Sequence, residues 1–155
     1  MYDWLVDPSS LTARLRARFG AGFSVAVQQL SRAWPTLNET RLLGLSGRQS
    51  LYQRCVSLRA FGEPVVQART LIPVRTLRGR ARQLTRLGSR PLGQAVFSSP
   101  DMRRGPLQTA LVHTNTPIFP NLDEPCWGRR SVFYLGGRPL LVYEVFLPRL
   151  FERLS

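Results

Sequence analysis

Residues 140–148 read "LLVYEVFLP", and the architecture turns on them. Counting in twos puts Leu140, Val142, Glu144 and Phe146 on one face, and Leu141, Tyr143, Val145 and Leu147 on the other. Both faces are apolar, which predicts a central strand with Glu144 directed into a covered interior. A carboxylate there needs a partner or a proton. Two readings follow: a structural ion pair with one of the arginines, or a group that gives a proton or a hydrogen bond to a ligand hydroxyl.

Working outward, "SVFYL" (131–135), a Gly-Gly pair and 138–148 spell a β-hairpin. A second hairpin joins "LYQRCVSLR" (51–59) to "PVVQARTLIPV" (64–74) through "AFGEP", with Pro73 ending the second strand or marking an edge. "FSVAVQQL" (23–30) alternates as a further strand. Helical spacing appears at 7–19, where Asp7, Ser9 and Ser10 are candidate caps, and at 75–88, where Gly79 interrupts the pattern. "RPLGQAVFSS" (90–99) predicts a short helix with Pro91 in its first turn. Residues 35–50 read as a loop with a short helical turn, and the proline-rich 106–126 as irregular with one strand near 107–112. Five or six strands with two or three helices, joined by hairpins, make an α+β domain with an antiparallel sheet.

One domain spanning 1–155 is expected from the length, and 43% hydrophobic residues suffice for a core without disulfides. No apolar run approaches the roughly 20 residues of a membrane-spanning helix, and "MYDWLVDPSS" lacks the pattern of a signal peptide. A cytoplasmic protein is expected, with Cys55 and Cys126 as buried thiols. The net charge is +13, and all 22 basic residues are arginine. Such a field suits an anionic small molecule or a nucleic acid. The arginines of 75–90 carry no interleaved aromatic, which favours a solvated helix face over a nucleic-acid surface. There is no HExxH, CxxC, P-loop, GxGxxG or GxSxG, and the single histidine, His113, reads as a surface residue.

Arg54 shares a strand face with Tyr52, Val56 and Leu58, so an inward guanidinium is expected there, in need of an anion. That anion is either Glu144 or a ligand carboxylate. Arg69 shares its face with Val65, Gln67 and Leu71.

Four stretches, "DWLVDPSSLTARL" (3–15), "GEPVVQARTLIPVRTL" (62–77), "LGSRPLG" (87–93) and "WGRRSVFYLGGRPLLVYEVFLP" (127–148), together resemble the bacterial chorismate lyase family, in order over most of the chain. The resemblance implies a six-stranded antiparallel sheet with helix-loop flaps over a buried ligand site. It implies elimination of pyruvate from chorismate to give 4-hydroxybenzoate for ubiquinone synthesis, without metal or cofactor. It places the arginine that holds the ring carboxylate at Arg54, a second site arginine at Arg69, and a glutamate near the ring hydroxyl at Glu144. Backbone donors to the carboxylate fall on Leu11 and Leu92. Both lie in the first turn of a helix expected from the sequence, where N–H groups have no partner inside the helix and carry the positive end of its dipole.

Chorismate lyase is thus the expected function, with Glu144 and Arg69 catalytic and Leu11, Arg54, Leu92 and Glu144 binding substrate. Arg69 is expected to bind the enolpyruvyl carboxylate or to orient Glu144. A monomer is expected, with no membrane insertion. The rivals are a non-catalytic aromatic-acid sensor of the same fold and a basic nucleic-acid-binding module.

Overall fold

The computed structural model describes residues 1–155, the side chain of Arg80 excepted. Seven antiparallel strands form one sheet: β1 Phe23–Ala33, β2 Leu51–Ala60, β3 Glu63–Pro73, β4 Met102–Arg104, β5 Gln108–Val112, β6 Cys126–Leu135 and β7 Arg138–Phe146. The order is β1-β2-β3-β7-β6, after which β4 and β5 share the far edge by pairing with opposite ends of β6. The sheet is therefore six strands wide, as expected, although it holds seven. β7 is central, between β3 and β6.

Two tight turns fix the register. Gly136 and Gly137 (φ +57° and +76°) close the β6–β7 hairpin, so Leu135 faces Arg138 and, counting back, Arg129 faces Glu144. Phe61 and Gly62 (φ 51° and 81°) close β2–β3, with Ala60 opposite Glu63. That second register then slips by one residue. Arg59 pairs with Pro64, but Leu58 pairs with Val66, leaving Val65 bulged.

The bulge corrects one expectation. Without it Arg54 would face Arg69; with it Arg54 faces Thr70, and Arg69 falls on the other side of the sheet. There Arg69 is buried with Glu39, which belongs to a short helix, α3 (Leu37–Leu42; α1 and α2 follow below). Its Nη1 donates to Glu39 Oε2 at 2.8 Å and its Nε to Gln53 Oε1 at 2.7 Å. The Tyr143 hydroxyl donates to the same Glu39 oxygen at 2.7 Å. Thr36 and Glu39 form a capping box that fixes α3 and aims the glutamate inward.

One face of the sheet carries two apolar clusters. At one end α1 (Tyr2–Val6), α2 (Leu11–Phe19) and α5 (Pro148–Leu154) cover Val56, Leu58, Val66 and Phe146. At the other end a 3-10 segment, Gly79–Arg86, and α4 (Leu92–Phe97) cover Ile72, Phe133, Leu140 and Val142. The opposite face packs Leu71, Leu141, Tyr143 and Val145 against Leu43, Phe119 and Leu122. The helix expected over 75–88 is instead two 3-10 pieces, because Gly79 sits at φ +63° and breaks the run. α1, α5 and β4 were not expected. Cys55 is half-buried, Cys126 is buried, and both are free thiols. His113 is exposed. No helix among the described residues is long and apolar enough to cross a membrane.

Burial alone would raise the pKa of Glu39, but the Thr36 amide, the Tyr143 hydroxyl and Arg69 together hold it below the usual carboxylate value. The Tyr143 hydroxyl is pushed up to about 12 by burial and by the glutamate it faces. A depressed carboxylate adds stability above its unfolded pKa and loses it as pH falls through the folded value. Thermal stability should therefore decline on acidification below the ordinary carboxylate range, and Glu39→Gln should flatten that decline. At neutral pH Glu39→Ala should cost about 3–5 kcal/mol, because it strands a buried guanidinium; urea unfolding measures both effects.

Candidate active site

The polar residues of the first face lie in the gap between its two apolar clusters. The registers define two adjacent rows across the sheet: Val56–Ala68–Glu144–Arg129 and Arg54–Thr70–Val142–Ser131. Strand geometry alone puts the Cα atoms of Arg54 and Glu144 roughly 12 Å apart, with both side chains on the same side. They line one cavity together with Leu11, Thr12, Ala68, Thr70, Leu92, Val96, Phe97 and Phe133. Arg69 is not among its lining residues and lies behind the sheet.

Arg54 is only 3% exposed, and Nη2 donates to the carbonyls of Gly88 (3.1 Å) and Arg90 (2.9 Å). It forms no ion pair among the described residues. Burial pushes its pKa below the usual guanidinium value, a consequence of a charge held out of water without a counter-ion. Such a group is a built receptor for an anion.

Glu144 does have a counter-ion, and it is not Arg54. Arg129 Nε donates to Glu144 Oε2 at 2.6 Å, straight across the β6–β7 ladder. The same guanidinium, 4% exposed, sends Nη1 to the carbonyls of Trp4 (3.1 Å), Leu5 (3.4 Å) and Asp7 (2.6 Å). Arg104, stacked on Phe133, gives Nε to Ser131 Oγ and Nη1 to the Pro8 carbonyl. Neither arginine was singled out from the sequence. For Arg129 the signal was there: counting back from Gly136-Gly137 pairs it with Glu144. For Arg104, on a three-residue edge strand, there was none.

Leu11 and Leu92 are the first residues of α2 and α4, and both line the cavity. The two helix starts meet at Gly93, where an added Cβ would lie 2.5 Å from Thr12 Oγ1 and 3.0 Å from Ser10 Oγ. Ser10 caps α2 by accepting from the Ala13 amide, whereas the N-cap of α4 is Pro91, which has no side-chain acceptor. The first amides of α4 thus get no help from a cap, and the positive ends of two helices converge on the face that holds Arg54.

The lining sets the charged Arg54 and Glu144, two strands apart, among mostly apolar side chains, with Thr12 and Thr70 as further polar groups. That arrangement suits a small ring with an anionic group at one end and a hydroxyl at the other. The space is about 40 Å³, less than the roughly 150 Å³ cavity known to take a benzene. Admission of a ring therefore requires the helix starts to part. A larger cleft of about 430 Å³, near Arg78, Asp101 and Arg138, contains none of these residues.

Comparison with known proteins establishes the family. The family model described as chorismate lyase matches residues 1–155. The chain belongs to the chorismate lyase family. A relative from Methylococcus capsulatus, described as a probable chorismate pyruvate-lyase, is 42% identical and covers 96% of this chain and 94% of its own. One from Azoarcus with the same description is 45% identical over 94% of this chain and 82% of its own. Among solved structures, PhnF from Mycobacterium smegmatis covers 93% of this chain and 66% of its own at TM-score 0.63 and 15% identity. A GntR-family transcriptional regulator from Bacillus cereus covers 83% and 93% at TM-score 0.60 and 14% identity. These two likenesses extend the fold beyond the chorismate lyase family.

The contact at Gly93 is testable. Gly93→Ala should destabilise the protein by about 1–3 kcal/mol through overpacking between the helix starts. Adding Thr12→Ala should recover part of the loss in the same urea titration, since it removes the atom that the new methyl meets.

Proposed function

We propose that the chain is a chorismate lyase, which converts chorismate to 4-hydroxybenzoate and pyruvate at the entry to ubiquinone synthesis. It works as one cytoplasmic, monomeric domain without metal or cofactor. The observation that carries this reading is the buried, unpaired Arg54 facing Glu144 across a cavity closed by two helix starts.

In the reaction the bond between the ring and the enolpyruvyl oxygen breaks, and the ring carbon bearing the hydroxyl loses its hydrogen as a proton. The departing enolpyruvate takes up a proton at carbon and becomes pyruvate. Aromatisation drives the step, so the protein supplies orientation and charge neutralisation. Arg54 binds the ring carboxylate with the nitrogens not used on Gly88 and Arg90, while the amides of Leu11 and Leu92 complete the carboxylate site. Glu144 meets the ring hydroxyl. Val96, Phe97 and Phe133 wall the ring and keep water away. Arg69 has no contact with substrate in this scheme; it anchors the opposite face through Glu39.

The same groups suit the product, which keeps the carboxylate, the ring and the hydroxyl. Release requires α2 and α4 to part again, so product departure limits turnover.

Purified protein mixed with chorismate should yield 4-hydroxybenzoate, followed by its absorbance. Folded protein that forms none would overturn the reading, and one that binds 4-hydroxybenzoate without turnover would be a sensor. Arg54→Ala should lower kcat/KM by roughly 100-fold or more, in line with the 2–5 kcal/mol cost of truncating one partner of a buried charged pair. Stopped-flow traces should show a first-turnover burst of 4-hydroxybenzoate followed by a slower steady state; a linear trace from the start would place the slow step before product formation.

A further inference from the structure

Arg129 has two sets of partners and no place in the cavity lining. Its Nε meets Glu144 Oε2 at 2.6 Å; its Nη1 meets three carbonyls of the segment that leads into α2. A guanidinium only donates, so the oxygen it contacts must accept. Glu144 Oε2 is therefore committed as an acceptor, and Oε1 has no hydrogen-bond partner among the described residues. As the anionic half of a salt bridge, the carboxylate has no proton to give, so it meets a ligand through Oε1 as an acceptor again.

We propose that Arg129 is the positioning residue that holds Glu144 as an anionic hydrogen-bond acceptor for the ring hydroxyl, rather than as a proton donor. The inference rests on the chorismate lyase reading of the site and adds to it the direction of one hydrogen bond. The ring hydroxyl donates to Oε1. Electron density at the ring oxygen rises as that bond tightens, which assists expulsion of the enolpyruvyl oxygen from the neighbouring carbon. The geometry also ties Glu144 to closure: the carbonyls of Trp4, Leu5 and Asp7 hold the guanidinium from the side opposite the carboxylate, so the glutamate is fixed when the segment before α2 is docked.

The test compares two probes that differ by one hydroxyl. In the wild-type protein 4-hydroxybenzoate should bind more tightly than benzoate, and the ratio of their dissociation constants isolates the contact with Glu144. Arg129→Gln should shrink that ratio and lower kcat by roughly 10- to 100-fold, the range expected when a hydrogen bond involving a charged group is lost. Arg129→Lys, which keeps the charge and loses the fork, should recover part of both. Glu144→Gln should reduce the ratio without abolishing it, because an amide pinned by Arg129 through its oxygen turns its NH2 toward the hydroxyl, which then accepts a neutral hydrogen bond where it had donated to a carboxylate. In the double variant the two losses should not multiply. An unchanged ratio in Arg129→Gln would overturn the proposal. If that variant does not fold, an unchanged ratio in Arg129→Lys does so. A full ratio in Glu144→Gln would show that an anionic acceptor gives the hydroxyl no advantage, and would overturn it as well. Failure of the wild-type protein to bind 4-hydroxybenzoate or convert chorismate would instead remove the underlying reading of the site.

Discussion

The fold depends on one cross-strand pair, Arg129 and Glu144, set by a two-residue turn. Gly136 and Gly137 leave no freedom in how β6 meets β7, and seven steps from the turn the arginine and the glutamate face each other. A carboxylate in the middle of a central strand would be costly alone. Opposite a guanidinium it is satisfied, and because Arg129 also needs carbonyl partners it draws the N-terminal segment down onto the sheet. That segment delivers α2 and its first amide to the cavity. The ion pair is thus both the partner of a site residue and the tie that shapes the site's wall.

Arg54 repeats the device on the other side. It binds the Gly88 and Arg90 carbonyls, which precede α4, as Arg129 binds those that precede α2. Arg104 adds a bond to Pro8. At each of these positions one side chain must satisfy a sheet-side group or a ligand and a loop carbonyl at once. A planar fork with five donors does this; a lysine ammonium at the end of a flexible stem does it less well. The chain has 22 arginines and no lysine, and at these three sites the geometry itself calls for arginine.

Most of this was legible in the residues. The apolar faces of 140–148 located Glu144 on a central strand, and the alternation in 51–59 turned Arg54 inward. The resemblance pointed to the amides of Leu11 and Leu92, and helix starts expected there from the sequence agreed with it. Arg69 was misplaced because alternation within one strand cannot reveal a bulge in its partner register: the extra residue at Val65 next to Pro64 inverts every side chain beyond it. The face it shares with Gln67 and Leu71 was read correctly, but Val65, the bulged residue, packs on the other face. Arg129 was missed for the opposite reason, since the Gly-Gly turn encoded its partner but the count was not carried far enough. The 3-10 form of 74–86 escaped because a left-handed glycine interrupts an otherwise good apolar stripe. α5 and the three-residue β4 left too little pattern to read.

The two faces of the sheet show what separates a structural charge from a functional one. Behind the sheet Arg69 is neutralised by Glu39, and Tyr143 and Gln53 complete the network. In front, Arg129 is neutralised by Glu144, but Arg54 has only carbonyl dipoles. An uncompensated buried charge lowers the stability of the empty protein, and an anion that arrives there recovers the loss. The gain goes to any ligand with a carboxylate at that point, substrate and product alike. On the proposed reading, the site that takes chorismate therefore also holds 4-hydroxybenzoate, because substrate and product share the ring carboxylate and the ring hydroxyl.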